Sequence, residues 1–175
     1  MNRGLILVLI FPILFINIFE LSSGAAELSL ATGLTQQEGG NFRYLSYRAE
    51  LGFSTGSSTF VSVVLGTTHP NQLHGYLQYN PRIGVVHNWT LDVFSFLDLF
   101  AGIGVGAWMD RVSAGGNISG SVIPSVAWQM GFRFGGKGFG AVAGFDDYMG
   151  VYNLYHLPLV VWPNNTFFLG LYASL

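Results

Sequence analysis

The chain has no cysteine among its 175 residues and a single lysine, Lys137. Without cysteine it forms no disulfide and offers no thiolate to a metal or an oxidant. One lysine and a formal net charge of −2 leave no basic patch of the kind that binds nucleic acid. Charge of either sign is scarce: 9% of residues are Asp, Glu, Lys or Arg, where soluble domains carry about a quarter. Beyond the N-terminus the sequence also lacks a clean helical membrane span. What it has instead is 24 glycines, 50% hydrophobic and 15% aromatic residues. Little charge with much glycine and aromatic surface fits a membrane β-barrel better than a bundle of helices.

The first residues read as an export signal. Asn2 and Arg3 form a short positive start, residues 5–19 an apolar run broken by Pro12 and Asn17, and residues 22–26 a small-residue stretch. Cleavage is expected before Glu27. An apolar run of this length is short for a span of ~20 residues. The expected division is therefore a signal peptide over 1–26 and one domain over 27–175.

Residues 91–110 carry the strongest pattern. Odd positions hold Leu91, Val93, Ser95, Leu97, Leu99, Ala101, Ile103, Val105, Ala107 and Met109, nearly all aliphatic. Even positions hold Asp92, Asp98 and Asp110, the aromatics Phe94, Phe96, Phe100 and Trp108, and the glycines 102, 104 and 106. A helix would mix these sets around its circumference, whereas a strand separates them onto two faces. One face is built for lipid and the other for a narrow lumen.

The same alternation recurs over residues 27–35, 42–53, 59–68, 73–86, 121–134, 139–148 and 167–175, which makes eight segments with 91–110 included. Segments of ~9–11 residues cross a membrane when tilted, and single-chain barrels close with an even number. Short turns are expected at 54–58, 87–90 and 135–138, and loops at 69–72, 110–120 and 149–166. The predicted fold is all-β: an eight-stranded antiparallel transmembrane barrel with short periplasmic turns and longer outer loops. Phe53, Phe132, Phe134 and Phe139 lie near the short turns on the lipid side, as an aromatic girdle requires. Pro81 cannot donate to a ladder and predicts a bulge or kink in the fourth segment, and Pro124 a similar feature nearer a loop. The apolar stretch 154–162 reads as outer loop with partial strand character, or as an extra strand in a hairpin with the last segment.

A barrel this small holds only side chains inside, so its charges must pair. The lumen candidates are Arg48, Glu50, Arg82, Asp98, Arg133 and Asp146. A hairpin closed at 87–90 would set Arg82 nearly opposite Asp98. Such a network seals the lumen or, in the functional alternative, gates a narrow channel. Tyr152, Tyr155, Leu157, Val160 and Trp162 make the last loop too apolar for a segment that only faces water, which marks a partner, ligand or lipid contact.

Chemistry has little to stand on. No two of the four histidines take a metal-ligand spacing, so neither a metal site nor a cofactor is expected. His74 and Asp146 are the least poor catalytic candidates, and nothing in the sequence brings them together. Glycines 102, 104 and 106 lack the helix and lysine of a phosphate loop.

With a signal segment, eight alternating segments and Phe-Ala-Gly-Ile-Gly-Val-Gly at 100–106, the chain resembles the small outer-membrane barrels of Gram-negative bacteria, the OmpA-like and OmpX-like group. The resemblance implies an integral place in the outer membrane, contact with its lipid and lipopolysaccharide, insertion by the barrel assembly machinery and recognition of an extracellular ligand through the loops. That machinery usually reads a terminal aromatic residue, where this chain ends Tyr172-Ala173-Ser174-Leu175. From Ala101 onward the rhythm also looks like the lipid A deacylase barrels, whose His-x-Ser-Asn motif would fall at residues 145–150. Those positions read Phe-Asp-Asp-Tyr-Met-Gly. The leading functional expectation is a non-enzymatic barrel that is structural or interacts through its loops. The alternatives are a lipid A- or phospholipid-modifying enzyme and a narrow channel.

Overall fold

The computed structural model describes residues 26–37, 44–68, 71–73, 76–114, 117–135, 138–152, 160–162 and 164–175. Residues 1–25, which carry the expected signal, lie outside them. The described strands are β1 (Ala26–Gln37), β2 (Tyr44–Gly56), β3 (Thr59–Thr68), β4 (Asn71–Leu73), β5 (Tyr76–Tyr79), β6 (Arg82–Phe94), β7 (Leu97–Ala114), β8 (Asn117–Gly135), β9 (Phe139–Tyr152), β10 (Val160–Trp162) and β11 (Asn164–Ser174).

Eight of them close a ring of antiparallel ladders in the order β1, β2, β3, β6, β7, β8, β9, β11 and back to β1. From Ala26 the partners run through Phe53, Val61, His87, Ile103, Trp128, Asp147 and Asn165, and return to β1 at Gln36. One circuit thus climbs ten residues of β1. With strands ~4.8 Å apart and a rise of ~3.3 Å per residue, that stagger tilts them by about 40°. Both chain ends of the ring, the turns at Ser57–Ser58 and Ser95–Phe96, and the adjoining ends of β8 at Gly135 and β9 at Phe139 sit at one rim, here the inner rim.

Alternation divides the wall as the sequence implies. Leu30, Leu65, Ile83, Leu91, Ile103, Met130, Leu169 and Leu171 are exposed outward. Between them Val64, Val86, Phe100, Trp108, Val142, Tyr148 and Phe168 are buried in the lumen. The aromatic girdle at the inner rim is present and larger than expected. Phe94 and Phe96 stack at 5.6 Å, Phe96 reaches Phe134 at 5.8 Å, and Phe132 meets Phe134 edge-on at 6.2 Å.

The turn expected at 87–90 is not there. β6 continues to Phe94, and the hairpin closes at Ser95–Phe96, inside the stretch read as one strand. Parity alone could not reveal it. In this hairpin Leu91 pairs with Leu99 and Asp92 with Asp98, odd with odd and even with even, so the two flanking strands keep the same parity on each face, while a register shift between Asp92 and Phe94 at the turn sets Phe94 opposite Leu97. His87 consequently leaves the turn for mid-strand, where it pairs with Val61 and Ile103.

Two outer loops are also shorter than expected. β7 reaches Ala114 and β8 begins at Asn117, so most of 110–120 is a projecting hairpin. Val160–Trp162 forms β10, which pairs with β9 and not with the last segment, in the register that β11 then continues. Pro81 interrupts the fourth segment between β5 and β6 without shifting it: Tyr79 pairs with Arg111 and Arg82 with Trp108 along one unbroken register. The carbonyl of Pro81 still accepts from the Met109 amide at 2.9 Å. At Pro124 the β8 ladder to β9 has already ended, with Ser125 and Gly150 as its last pair, so the missing donor falls on a free edge.

Candidate functional site

The polar centre of the lumen is assembled strand by strand from residues that alternation aims inward. Arg48 and Glu50 are successive inward positions of β2, and Asp146 comes from β9. Arg48 lies 2.8 Å from Glu50 and 3.1 Å from Asp146, and Asp146 lies 3.1 Å from Arg82 on β6. Both arginines and both acids are at least 95% buried. Charges removed from water need hydrogen-bonding partners, and neutral groups add several. Arg48 donates to the Gln129 carbonyl at 2.6 Å, and Gln129 donates to Glu50 at 3.1 Å and to Asn88 at 2.7 Å. Asn88 donates to Ser62 at 2.9 Å. On the far side Arg82 donates to Thr166, which shares a hydrogen bond with Thr35 at 2.8 Å.

This chain of contacts draws side chains from β1, β2, β3, β6, β8, β9 and β11. Among the described residues β7 gives it space instead. A Cβ on Gly102 would collide with Asn88 Oδ1, and on Gly106 it would stand 2.8 Å from the Tyr148 ring. Gly102 and Gly106 therefore make room for side chains of other strands, Asn88 from the adjacent β6 and Tyr148 from β9.

Apolar layers lie on either side. Toward the outer rim Val64, Val86, Trp108, Ile123, Ala127 and Tyr148 pack together. Toward the inner rim Phe60, Phe100, Val142, Phe168 and Tyr172 do so. The arginines tie these layers to the centre: Arg48 lies 4.2 Å over the Phe168 ring, and Arg82 5.3 Å over Tyr148. At the inner mouth Arg133 pairs with Glu27 at 2.8 Å and stacks 4.3 Å over Phe60. Below it a recess of about 680 Å³ is lined by Glu27, Asp92, Asp98 and Arg133 among others.

Of the six lumen candidates, four share one network and two lie at the inner mouth. The expected pair of Arg82 with Asp98 does not form. Arg82 stands opposite Trp108, and Asp98 opposite Asp92 and Arg133, because the hairpin closes at 95–96 and slides β7 along β6. Reasoning from sequence passed over Glu27, Gln129 and Asn88. Gln129 was hidden by a search for charges alone, and Asn88 by the turn expected at 87–90, whereas the charge and inward parity of Glu27 were readable. His74, Tyr155 and Leu157 lie outside the described residues. Tyr152, Val160 and Trp162 are described in backbone only, on β9 and β10.

No family model matches the chain, and no curated protein matches it in sequence. Solved structures do match in shape. Neisserial surface protein A superposes with a TM-score of 0.70 at 13% identity, over 88% of this chain and 98% of that one. Ail, the attachment invasion locus protein of Yersinia pestis, gives 0.59 at 13% identity over 86% and 97%. The N-terminal β-barrel domain of Pseudomonas aeruginosa OprF gives 0.59 at 10% identity over 85% and 97%. At such identities the likeness is one of fold. It joins the closed ring, the outward apolar wall and the inner-rim girdle in one conclusion: the chain has the fold of the small eight-stranded outer-membrane β-barrels.

Proposed function

We propose that this protein is an integral outer-membrane barrel, exported on a signal over residues 1–26, that acts without catalysis through its wall and its outer face. In this reading its lumen is closed by side chains. The observation that supports it is the Arg48–Glu50–Asp146–Arg82 network between two apolar layers. Two positive and two negative groups balance, and Asp146, the described catalytic candidate, commits both carboxylate oxygens to arginines. The partners proposed are outer-membrane lipid and lipopolysaccharide along the wall, the barrel assembly machinery during insertion, and an extracellular ligand at the outer rim.

Planar-bilayer recording of the refolded protein tests the closed lumen. Current indistinguishable from the bare bilayer is expected, and stepwise conductance would replace this reading with the narrow channel. Mass spectrometry of lipid A from cells with and without the protein addresses the enzymatic alternative: unchanged acyl chains are expected, and a lost chain would establish a deacylase.

A further inference from the structure

Asp147 stands on β9 between the lumen residues Asp146 and Tyr148, so alternation turns it to the lipid side of the wall. There it is nonetheless 5% exposed, held among outward side chains of the neighbouring strands. Opposite it on β8, Trp128 donates from its indole nitrogen to Asp147 Oδ2 at 3.2 Å. Opposite it on β11, Asn165, with its amide nitrogen turned to the two facing carboxylate oxygens, donates to them at 2.9 and 3.1 Å. Gln36 on β1 continues the row beside Asn165. An acid on the lipid face of a barrel is costly, and at membrane depth an ionisable group is first a candidate site.

The row has a definite height. From Phe139 at the inner girdle to Asp147, β9 climbs ~20 Å at a rise of ~3.3 Å per residue and a tilt of about 40°. The apolar band of such a barrel is ~25 Å tall, which puts the row just inside its outer edge. Val126 and Met149, paired above Asp147, are still apolar. Below it Trp128, Phe145 and Phe167 make a chain of rings with centroids 5.1 and 4.9 Å apart. Lower again, the small Ala143 stands between Phe132 on β8 and Leu169 on β11, and all three line a recess of about 970 Å³ on the wall.

Polar row, rings and apolar dip thus follow one another inward from the outer rim. That is the order of polar joint and acyl chain in a lipid of the outer leaflet. The row also narrows which lipid. An ionised carboxylate only accepts, with room for about four hydrogen bonds. Trp128 and Asn165 are neutral and do not cancel its charge, so it repels a lipid phosphate and attracts a further donor. The ester joints of a glycerophospholipid offer acceptors alone. We propose that Trp128, Asp147 and Asn165 form the polar end of a lipid site on the outer wall. Its occupant is a lipid with amide or hydroxyl groups where headgroup meets acyl chain, one chain lying down over Phe145 to Ala143. The inference rests on the outer-membrane reading and names the class of lipid that the wall selects.

The test uses the full chain in phosphatidylcholine nanodiscs carrying either purified lipid A, whose chains are amide-linked and hydroxylated, or phosphatidylglycerol at equal lipid charge. The readout is the Trp128 indole resonance, assigned through Trp128→Phe. A shift that saturates with lipid A and is missing with phosphatidylglycerol is expected. Equal responses to the two lipids, or none to either, overturn the site. Asp147→Leu removes the acceptor from a lipid-facing position that tolerates leucine, and should move the midpoint of the lipid A titration about tenfold or more, the worth of a hydrogen bond to a charged group. Ala143→Leu fills the dip and leaves the carboxylate in place, and should also weaken binding. An unchanged midpoint in either variant overturns the proposal. Insertion separates the two readings: a chain that enters the bilayer but shows no preference loses the site alone, whereas one that enters no bilayer loses the membrane barrel with it.

Discussion

Arg48 and Arg133 both point into the lumen, and both stack on phenylalanine. Arg48 sits in the middle of the barrel, its side chain 1% exposed, with Glu50, Asp146 and Gln129 around it. Arg133 sits at the inner mouth, its side chain 10% exposed, facing a glutamate that is 22% exposed. Three rings flank it, with Phe60 at 4.3 Å, Phe100 at 5.2 Å and Tyr172 at 5.9 Å. The same side chain is therefore held by different physics at two depths. In the centre opposite charge and hydrogen bonds replace water, and losing one partner strands another. At the mouth water and aromatic faces share the guanidinium, and no single partner is indispensable.

Substitutions in reversible unfolding from lipid vesicles bring out that contrast. The largest effect is expected from Arg48→Met, which leaves Glu50 and Asp146 short of their shared cation and should lower stability by about 3–5 kcal/mol. Removing Glu50 as well, in Arg48→Met with Glu50→Gln, should return part of that loss. Strict additivity of the two single changes would show that the centre is not a coupled unit. Arg133→Met keeps the aliphatic stem among the rings and loses the charge, and should cost about 1–2 kcal/mol. A loss as large as that of Arg48→Met would erase the distinction between centre and mouth. Glu27→Gln is expected to do least, below about 1 kcal/mol, with the difference shrinking in high salt. An effect insensitive to salt would mean that this pair is as dry as the central one.

Alternation made the fold legible. Leu30, Leu169 and Met130 announce the lipid side, and Arg48, Arg82 and Asp146 the inside, because a period of two leaves no freedom about which face a residue takes. Position along the strand was a different matter. Nothing in the parity of 91–110 marks the reversal at Ser95–Phe96, a turn without glycine, proline or asparagine. Misplacing it moved Arg82 onto the wrong partner even though both residues were put on the correct face. The site was legible as composition and illegible as geometry. Contact between Arg48 and Asp146 joins positions 98 apart, and between Arg82 and Asp146 64 apart, and only the closed register fixes which inward residues meet. The role of Gly102 shows the same limit, since its space is needed by Asn88 on the neighbouring strand.

The ladder between the first and last strands, Glu27 with Ser174 through Gln37 with Asn164, has a consequence in time. Every other ladder of the ring joins strands that follow one another around the wall and can zip from a nearby turn. This one must wait for the whole chain, and the central charges come to rest only when it forms. Until then Arg48 and Glu50 belong to an open, curling sheet whose interior is still wet. Contacts of such separation are slow to form. The final seam should therefore be the committing event of assembly, when insertion, expulsion of water and locking of the core occur as one step.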